Sequence, residues 1–208
     1  MKVLLVNGSP HENGCTYTGL SIVAKELENE GIETEIFHIG VKPISGCVSC
    51  GACAKLGKCA IDDVVNEFLE KADSVDGFIF GSPVYFASMN GSLSAFMDRA
   101  FYSGRKGGRF RLKPAASIVN ARRGGNTATF DQINKYFTIN EMPIISSNYW
   151  NQTHGVKPEH VLQDEEGVNT LKTLGRNMAY FLKCMEVAKN SGVKEPEPTA
   201  KVRTNFIR

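Results

Sequence analysis

The sequence predicts an α/β domain: a doubly wound, five-stranded parallel sheet with helices on both faces and strand order 2-1-3-4-5. Three observations predict it. Short, largely unbroken apolar runs at residues 3–6, 78–80 and 115–119 suit strands buried on both faces. Segments with apolar residues at helical spacing separate them, so strand and helix alternate five times. The 208 residues suffice for one well-cored domain and are short for two. Right-handed crossovers then place a ligand crevice at the carboxyl ends of strands one and three.

The elements follow in order. Strand one ends at Val6, and a helix over residues 17–30 sets Leu20, Val23, Ala24 and Leu27 on one face before Gly31, a suitable residue to follow a helix end. Residues 34–39 form a half-polar strand near a sheet edge. A cysteine-rich insert covers 41–61, and Asp62 or Asp63 opens a helix to Ala72, acidic residues suiting a cap. Residues 76–81 give strand three, 91–102 a helix, 115–120 strand four, 127–137 a helix and 142–146 strand five, where Pro143 is tolerable at the start. Residues 147–163 read as irregular, and Asp164 opens the last helix, to about Lys189. The domain thus spans 1–190, with an extended tail over 191–208.

Composition is ordinary, with 42% hydrophobic and 22% charged residues and a net charge of +2. That balance gives no pull toward nucleic acid or an anionic membrane. No apolar run approaches the roughly 18–20 residues that span a bilayer. Met1-Lys2 leads directly into a strand, without a signal-peptide layout, so a cytoplasmic location is expected. The six cysteines then need a role other than disulfides, because that compartment keeps thiols reduced.

The stretch from Val3 to Thr16 organises the chain. A buried strand passes into Asn7-Gly8-Ser9-Pro10-His11-Glu12-Asn13-Gly14 and then into a helix. First-turn N–H groups lack intrahelical partners, and the helix dipole favours negative charge there. Ser9, Thr16 and Thr18 add hydroxyls, and His11 a partial charge. The motifs G-x-x-x-x-G-K-[ST] and G-x-G-x-x-G are both absent. A phosphate monoester bound without metal suits the loop, as does a plain capped turn. Two further loops converge on the crevice. The one after Phe80 carries Pro83, Tyr85 and Phe86, whose rings can lie against a planar heterocycle. The one after Val119 carries Gly124 and Gly125, where backbone can approach a ligand, and Arg122 and Arg123, which bring positive charge. A phosphate cradle with two loops for a flat ring fits FMN.

Gly8-Ser9-Pro10 with Asn13-Gly14 and Thr16, then Ser82-Pro83-Val84-Tyr85, then Asp98-Arg99, resemble the flavodoxin-like NAD(P)H-dependent FMN reductases over about residues 1–190. The resemblance implies a flavodoxin-like fold, FMN, NAD(P)H as donor, a homodimer or homotetramer, and a small acceptor such as a quinone or a free flavin. It implies that Ser9, His11, Asn13, Cys15, Thr16 and Tyr17 surround the FMN phosphate. Pro83, Val84, Tyr85 and Phe86 would border the isoalloxazine, with Ala121, Arg122, Arg123, Gly124 and Gly125. Asp98 and Arg99 read as an internal ion pair at the helix–sheet junction. No catalytic side chain is assigned, because hydride transfer to flavin needs no protein acid or base.

Cys47, Cys50, Cys53 and Cys59 are spaced C-x2-C-x2-C-x5-C. Short intervals of this kind can wrap an iron–sulfur cluster, and the spacing resembles that of the iron–sulfur flavoproteins, implying a [4Fe–4S] cluster and a protein partner such as ferredoxin. Zinc and metal-free thiols are the other readings, zinc being opposed by the crowded spacing. Cys184 is expected on the inward face of the last helix. The loop with Asn148, Tyr149, Trp150, Asn151 and His154 reads as a roof for a flavin or substrate pocket of a partner subunit, or as a Trp-anchored surface loop. The basic run of Arg105, Lys106, Arg109, Arg111 and Lys113 reads as a solvated loop or a site for the phosphates of NADPH. Phe206 and Ile207 suggest a tail that docks on a partner.

Overall fold

The computed structural model describes residues 1–200 together with Val202, Thr204 and Phe206; the Lys106 side chain and the remaining tail residues lie outside that description. Five strands form the expected parallel sheet. They are β1 (Lys2–Asn7), β2 (Glu33–His38), β3 (Gly77–Tyr85), β5 (Ala115–Ala121) and β6 (Gln152–His154), in the spatial order β2-β1-β3-β5-β6. A two-residue strand, β4 (Ser88–Met89), folds back antiparallel on the end of β3. Successive side chains of each strand point to opposite faces. Leu4, Val6, Phe78 and Phe80 therefore enter one core, and Val3, Leu5 and Ile79 the other.

The first core is aromatic. Phe68 of α3 (Val64–Ala72), Phe96 and Phe101 of α4 (Gly91–Ser103) and Phe137 of α5 (Asn126–Thr138) pack on Phe78 and Phe80. Ring centroids lie 5.1 Å apart for Phe68–Phe96 and 4.7 Å for Phe101–Phe110. The second core is aliphatic, built by α1 (Cys15–Asn29) and α7 (Glu165–Asn190), whose Leu20, Val23, Leu27, Leu171, Leu174 and Met178 are fully buried. Asp63 caps α3 through its carboxylate and the Val65 N–H at 3.0 Å, and Asp164 caps α7 through the Gly167 N–H. Both caps agree with the sequence.

The fifth strand lies elsewhere than expected. Residues 142–146 make a single bridge, Ile144 to Ala115. Pro143 has no N–H to donate, so only its carbonyl enters the ladder, accepting from Ala115 at 2.9 Å. The chain then leaves the sheet and returns at Asn151. That residue's carbonyl accepts from the Val119 N–H at 3.0 Å, and its amide donates to the Ser117 carbonyl at 3.1 Å. Gln152–His154 completes the edge beside Val119, Asn120 and Ala121. Two short helices also escaped the sequence reading, α2 (Cys53–Leu56) and α6 (Pro158–Gln163), each too brief to show a period.

Cys184 is exposed, not inward. At about 100° per residue it stands far round the helix from buried Leu182. The tail carbonyl of Pro196 accepts from Arg111 at 2.6 Å. Phe206 is exposed, and the expected docking of Ile207 lies outside the described residues.

Gly81 of β3 sets how closely α1 approaches the sheet. A Cβ there would meet Thr16 Cγ2 at 2.8 Å and Leu20 at 3.1 Å. Gly81→Ala should therefore cost about 1–3 kcal/mol from overpacking, read as a lower urea midpoint at unchanged slope. An unchanged midpoint would show that the seam has slack.

Candidate functional site

The loop between β1 and α1 is held by its neighbours' side chains. Asn7 Oδ1 accepts from the Ser9 N–H at 3.1 Å, and Asn7 Nδ2 donates to the Glu12 carbonyl at 2.9 Å. Ser9 Oγ accepts from the His11 N–H at 3.1 Å, leaving its own proton free to donate. From β2, His38 Nε2 lies 2.8 Å from the Ser9 carbonyl. The N-cap of α1 is Gly14, and no side chain caps the helix. Its first-turn N–H groups thus open toward the crevice, with Thr16 97% buried beside them. The Thr16 methyl faces Gly81. Thr18 does not serve the crevice, because its hydroxyl donates to the Gly14 carbonyl at 3.2 Å.

The second wall is a hairpin. β3 runs on to Tyr85 and turns at Phe86 and Ala87, with φ of 52° and 56°, pairing Val84 with Met89 and Tyr85 with Ser88. Two residues at positive φ suit a tight hairpin, yet each non-glycine residue there costs about 1–2 kcal/mol. Gln132 of α5 holds the turn, its Oε1 accepting from the Met89 N–H at 3.0 Å and the Ser88 hydroxyl at 2.8 Å. Gly125, at φ 94°, lets α5 begin against it, since a Cβ would lie 2.8 Å from Ala87 Cα.

The third wall is the end of β5. Asn120 Nδ2 donates to the Gly155 carbonyl at 3.1 Å, and its Oδ1 accepts from the Thr153 hydroxyl at 3.0 Å.

Between these walls lies a cleft of about 1070 Å³, its open mouth included, in the size class of cofactor sites. Ser9, His11, Asn13, Cys15 and Thr16 line it from the first loop, Pro83, Val84 and Tyr85 from the second, and Ala121 and Arg122 from the third. Tyr17, Phe86, Arg123, Gly124 and Gly125 stand outside the lining. Phe86 projects fully into solvent, and Gly125 serves the hairpin. Asn120 and the stretch from Gly155 to Pro158, including Lys157, line the cleft as well. Sequence reading missed these, along with Asn7 and His38. A usable signal existed: Asn7 and Asn120 both follow a buried apolar run directly.

Cys47, Cys50, Cys53 and Cys59 line a second, separate and shallow cleft of about 370 Å³, its open mouth included, with Arg99 and Tyr102. Four thiols are the donor set a metal–sulfur centre needs. Among the described residues, however, no three His, Cys, Asp or Glu side chains converge on a metal-binding point. Arg99 pairs with Asp63 at 2.6 Å, not with Asp98, which accepts from the Tyr136 hydroxyl.

The remaining candidates fall elsewhere. His154 binds Asp164, through its N–H at 2.7 Å and its ring at 3.4 Å, at the outer sheet edge. Tyr149 and Trp150 pack together there, with centroids 4.8 Å apart. In the basic run, Arg109 pairs with Asp73 and Arg111 with Glu141, while Lys113 donates to the Ala72 carbonyl. These structural partners lie near the start of β5, at the opposite end of the sheet from the cleft.

Comparison with known proteins gives this architecture a family. The model of the NADPH-dependent FMN reductases matches residues 1–157. The chain belongs to that family. It is similar to an iron–sulfur flavoprotein of Methanocaldococcus jannaschii, 34% identical over 193 residues, covering 89% of this chain and 100% of that protein. Among solved structures, RosB with a bound 8-demethyl-8-formylriboflavin-5'-phosphate superposes at a TM-score of 0.71 with 13% identity, covering 100% of this chain and 92% of that one. An archaeal flavodoxin superposes at 0.58 with 12% identity, covering 88% and 99%. The fold is flavodoxin-like, and this family member is an FMN-dependent NAD(P)H oxidoreductase. No helix among the described residues is long and apolar enough to cross a membrane.

Burial raises the pKa of the Cys15 thiol, and the thiolate is the reactive form. Iodoacetamide at about pH 8 should therefore label exposed Cys47, Cys50 and Cys184 well before Cys15, as read by peptide mass spectrometry. Early labelling of Cys15 would contradict its placement in the wall.

Proposed function

We propose that the cleft holds FMN and that the chain oxidises NAD(P)H, delivering the electrons to a small acceptor such as a quinone or a free flavin. FMN, when bound, supplies the hydride and electron chemistry; the protein supplies position and hydrogen bonds. The uncapped start of α1 carries this reading, because it opens into a cleft walled by loops from two other strands. Ser9 and Thr16 donate hydroxyls to the phosphate. The first-turn N–H groups, Tyr17's included, add backbone donors, and His11, Asn13 and Cys15 flank them. Pro83, Val84 and Tyr85 border the ring on one side and Ala121 and Arg122 on the other. Phe86, Arg123, Gly124 and Gly125 act from outside the lining, shaping the hairpin and the charge at the mouth. The riboflavin phosphate derivative in the RosB structure supports the choice of ligand.

One observation favours a second reading, in which the chain is an electron carrier. Four cysteines share a cleft, and the relative of full matching length is named an iron–sulfur flavoprotein. In this reading Cys47, Cys50, Cys53 and Cys59 hold a [4Fe–4S] cluster, and the chain serves a protein partner such as ferredoxin. A homodimer or homotetramer would bring the cysteine segment of one copy to the FMN cleft of another.

Anaerobic mixing of the FMN-loaded protein with NADPH and with NADH separates the two. Rapid bleaching of the flavin absorbance is expected. No bleaching by either donor, with prompt reduction by ferredoxin, would favour the carrier. Thr16→Val should weaken FMN by on the order of 10- to 100-fold, as one charge-assisted hydrogen bond is worth about 1.5–3 kcal/mol. Fluorescence titration giving equal affinity would move the phosphate elsewhere.

A further inference from the structure

We infer that Arg99 is a positioning residue for the cysteine cleft: it fixes Cys59 as the one preset ligand and donates a hydrogen bond to that ligand's sulfur. The inference rests on the reading of the four cysteines as ligands of an iron–sulfur cluster.

Arg99 reaches from α4 into the cysteine-rich segment, and its side chain is 1% exposed. Every nitrogen of the guanidinium has a partner. Nε donates to Cys59 Sγ at 3.3 Å. Nη1 donates to Asp63 at 2.6 Å and to the Ser45 carbonyl at 3.4 Å. Nη2 donates to Asp63 at 2.9 Å and to the Ile61 carbonyl at 2.8 Å. One planar fork therefore clips both ends of the segment that bears the cysteines. Lysine, with a single nitrogen, cannot reproduce that pattern.

The Cys59 backbone is pinned as firmly as its sulfur. Its N–H donates to Asn66 Oδ1 at 3.0 Å, and its carbonyl accepts from Asn66 Nδ2 at 3.0 Å. Asn66 is itself buried. The other three cysteines are held differently. Cys47 and Cys50 are exposed on a stretch without regular structure, and Cys53 opens a four-residue helix. One ligand is set and three ride on a segment that has to close upon it. This division accounts for four thiols lining one cleft while no three of them converge.

The hydrogen bond to sulfur has an electronic consequence. Asp63 balances the charge of Arg99, so Cys59 meets an oriented N–H donor more than a net cation. Donors on ligand sulfur favour the reduced, more negative state of a cluster and raise its potential.

The test is anaerobic reconstitution of the full chain with ferrous iron and sulfide, comparing wild type with Arg99→Lys. Iron per chain, the rate of iron loss to a chelator and the midpoint potential are read, with the unfolding midpoint as a control for folding. The variant should lose iron about tenfold faster and titrate at a lower potential. Equal retention and an equal potential would overturn the role of Arg99 and leave the cluster reading standing. Failure of the wild type to take up iron would overturn both. Should Arg99→Lys not fold, Asn66→Ala, which frees the Cys59 backbone and spares the bond to sulfur, should lose iron faster at an unchanged potential. Wild-type retention in that variant would overturn the preset-ligand claim.

Discussion

The contact on which the molecule depends is the seam between α1 and β3. Gly81 presents no side chain there, so Thr16 and Leu20 lie directly on the strand. That depth fixes where the helix begins, and the start of the helix is the most strongly directional feature of the cleft. Its free N–H groups face the crevice between β1 and β3 because Gly14 offers no capping side chain and Asn7 and His38 hold the preceding turn away. Packing on one face of the sheet thereby arranges hydrogen-bond donors at its end.

The two clefts are built on opposite strategies. The larger is rigid at the level of backbone: Asn7, Gln132 and Asn120 each spend a side chain on fixing a neighbouring turn. The smaller is anchored at Cys59 and at the two ends of its segment, through Arg99 and Asn66, while Cys47 and Cys50 between them stay exposed. A preformed cradle suits a ligand that arrives whole, whereas an anchored but open one suits a centre assembled in place.

Much of this was legible in the chain, and the misses have physical causes. The β1–α1 junction and the helix caps at Asp63 and Asp164 are local, and local chemistry reads well. Arg99 was paired with its neighbour Asp98, whereas its true partner lies 36 positions away, a distance that one sequence does not reveal. Residues 142–146 carry the apolar run of a strand, but Pro143 withholds the donor a ladder needs. At Gly125 the position a Cβ would take is filled by Ala87, a packing constraint from a residue 38 positions away that one sequence does not reveal. The hairpin went unread because Phe86 and Ala87 lack the glycine or asparagine that normally announces such a turn.

The interruption of the outer strand has a further meaning. An uninterrupted border would offer a long row of vacant amides and carbonyls, a template on which other chains can stack. Here residues 142–146 meet β5 through a single bridge, the chain swings outward before Asn151, and only three residues resume the ladder. The rim on this side therefore offers three residues of regular ladder, half the length of the opposite edge, β2.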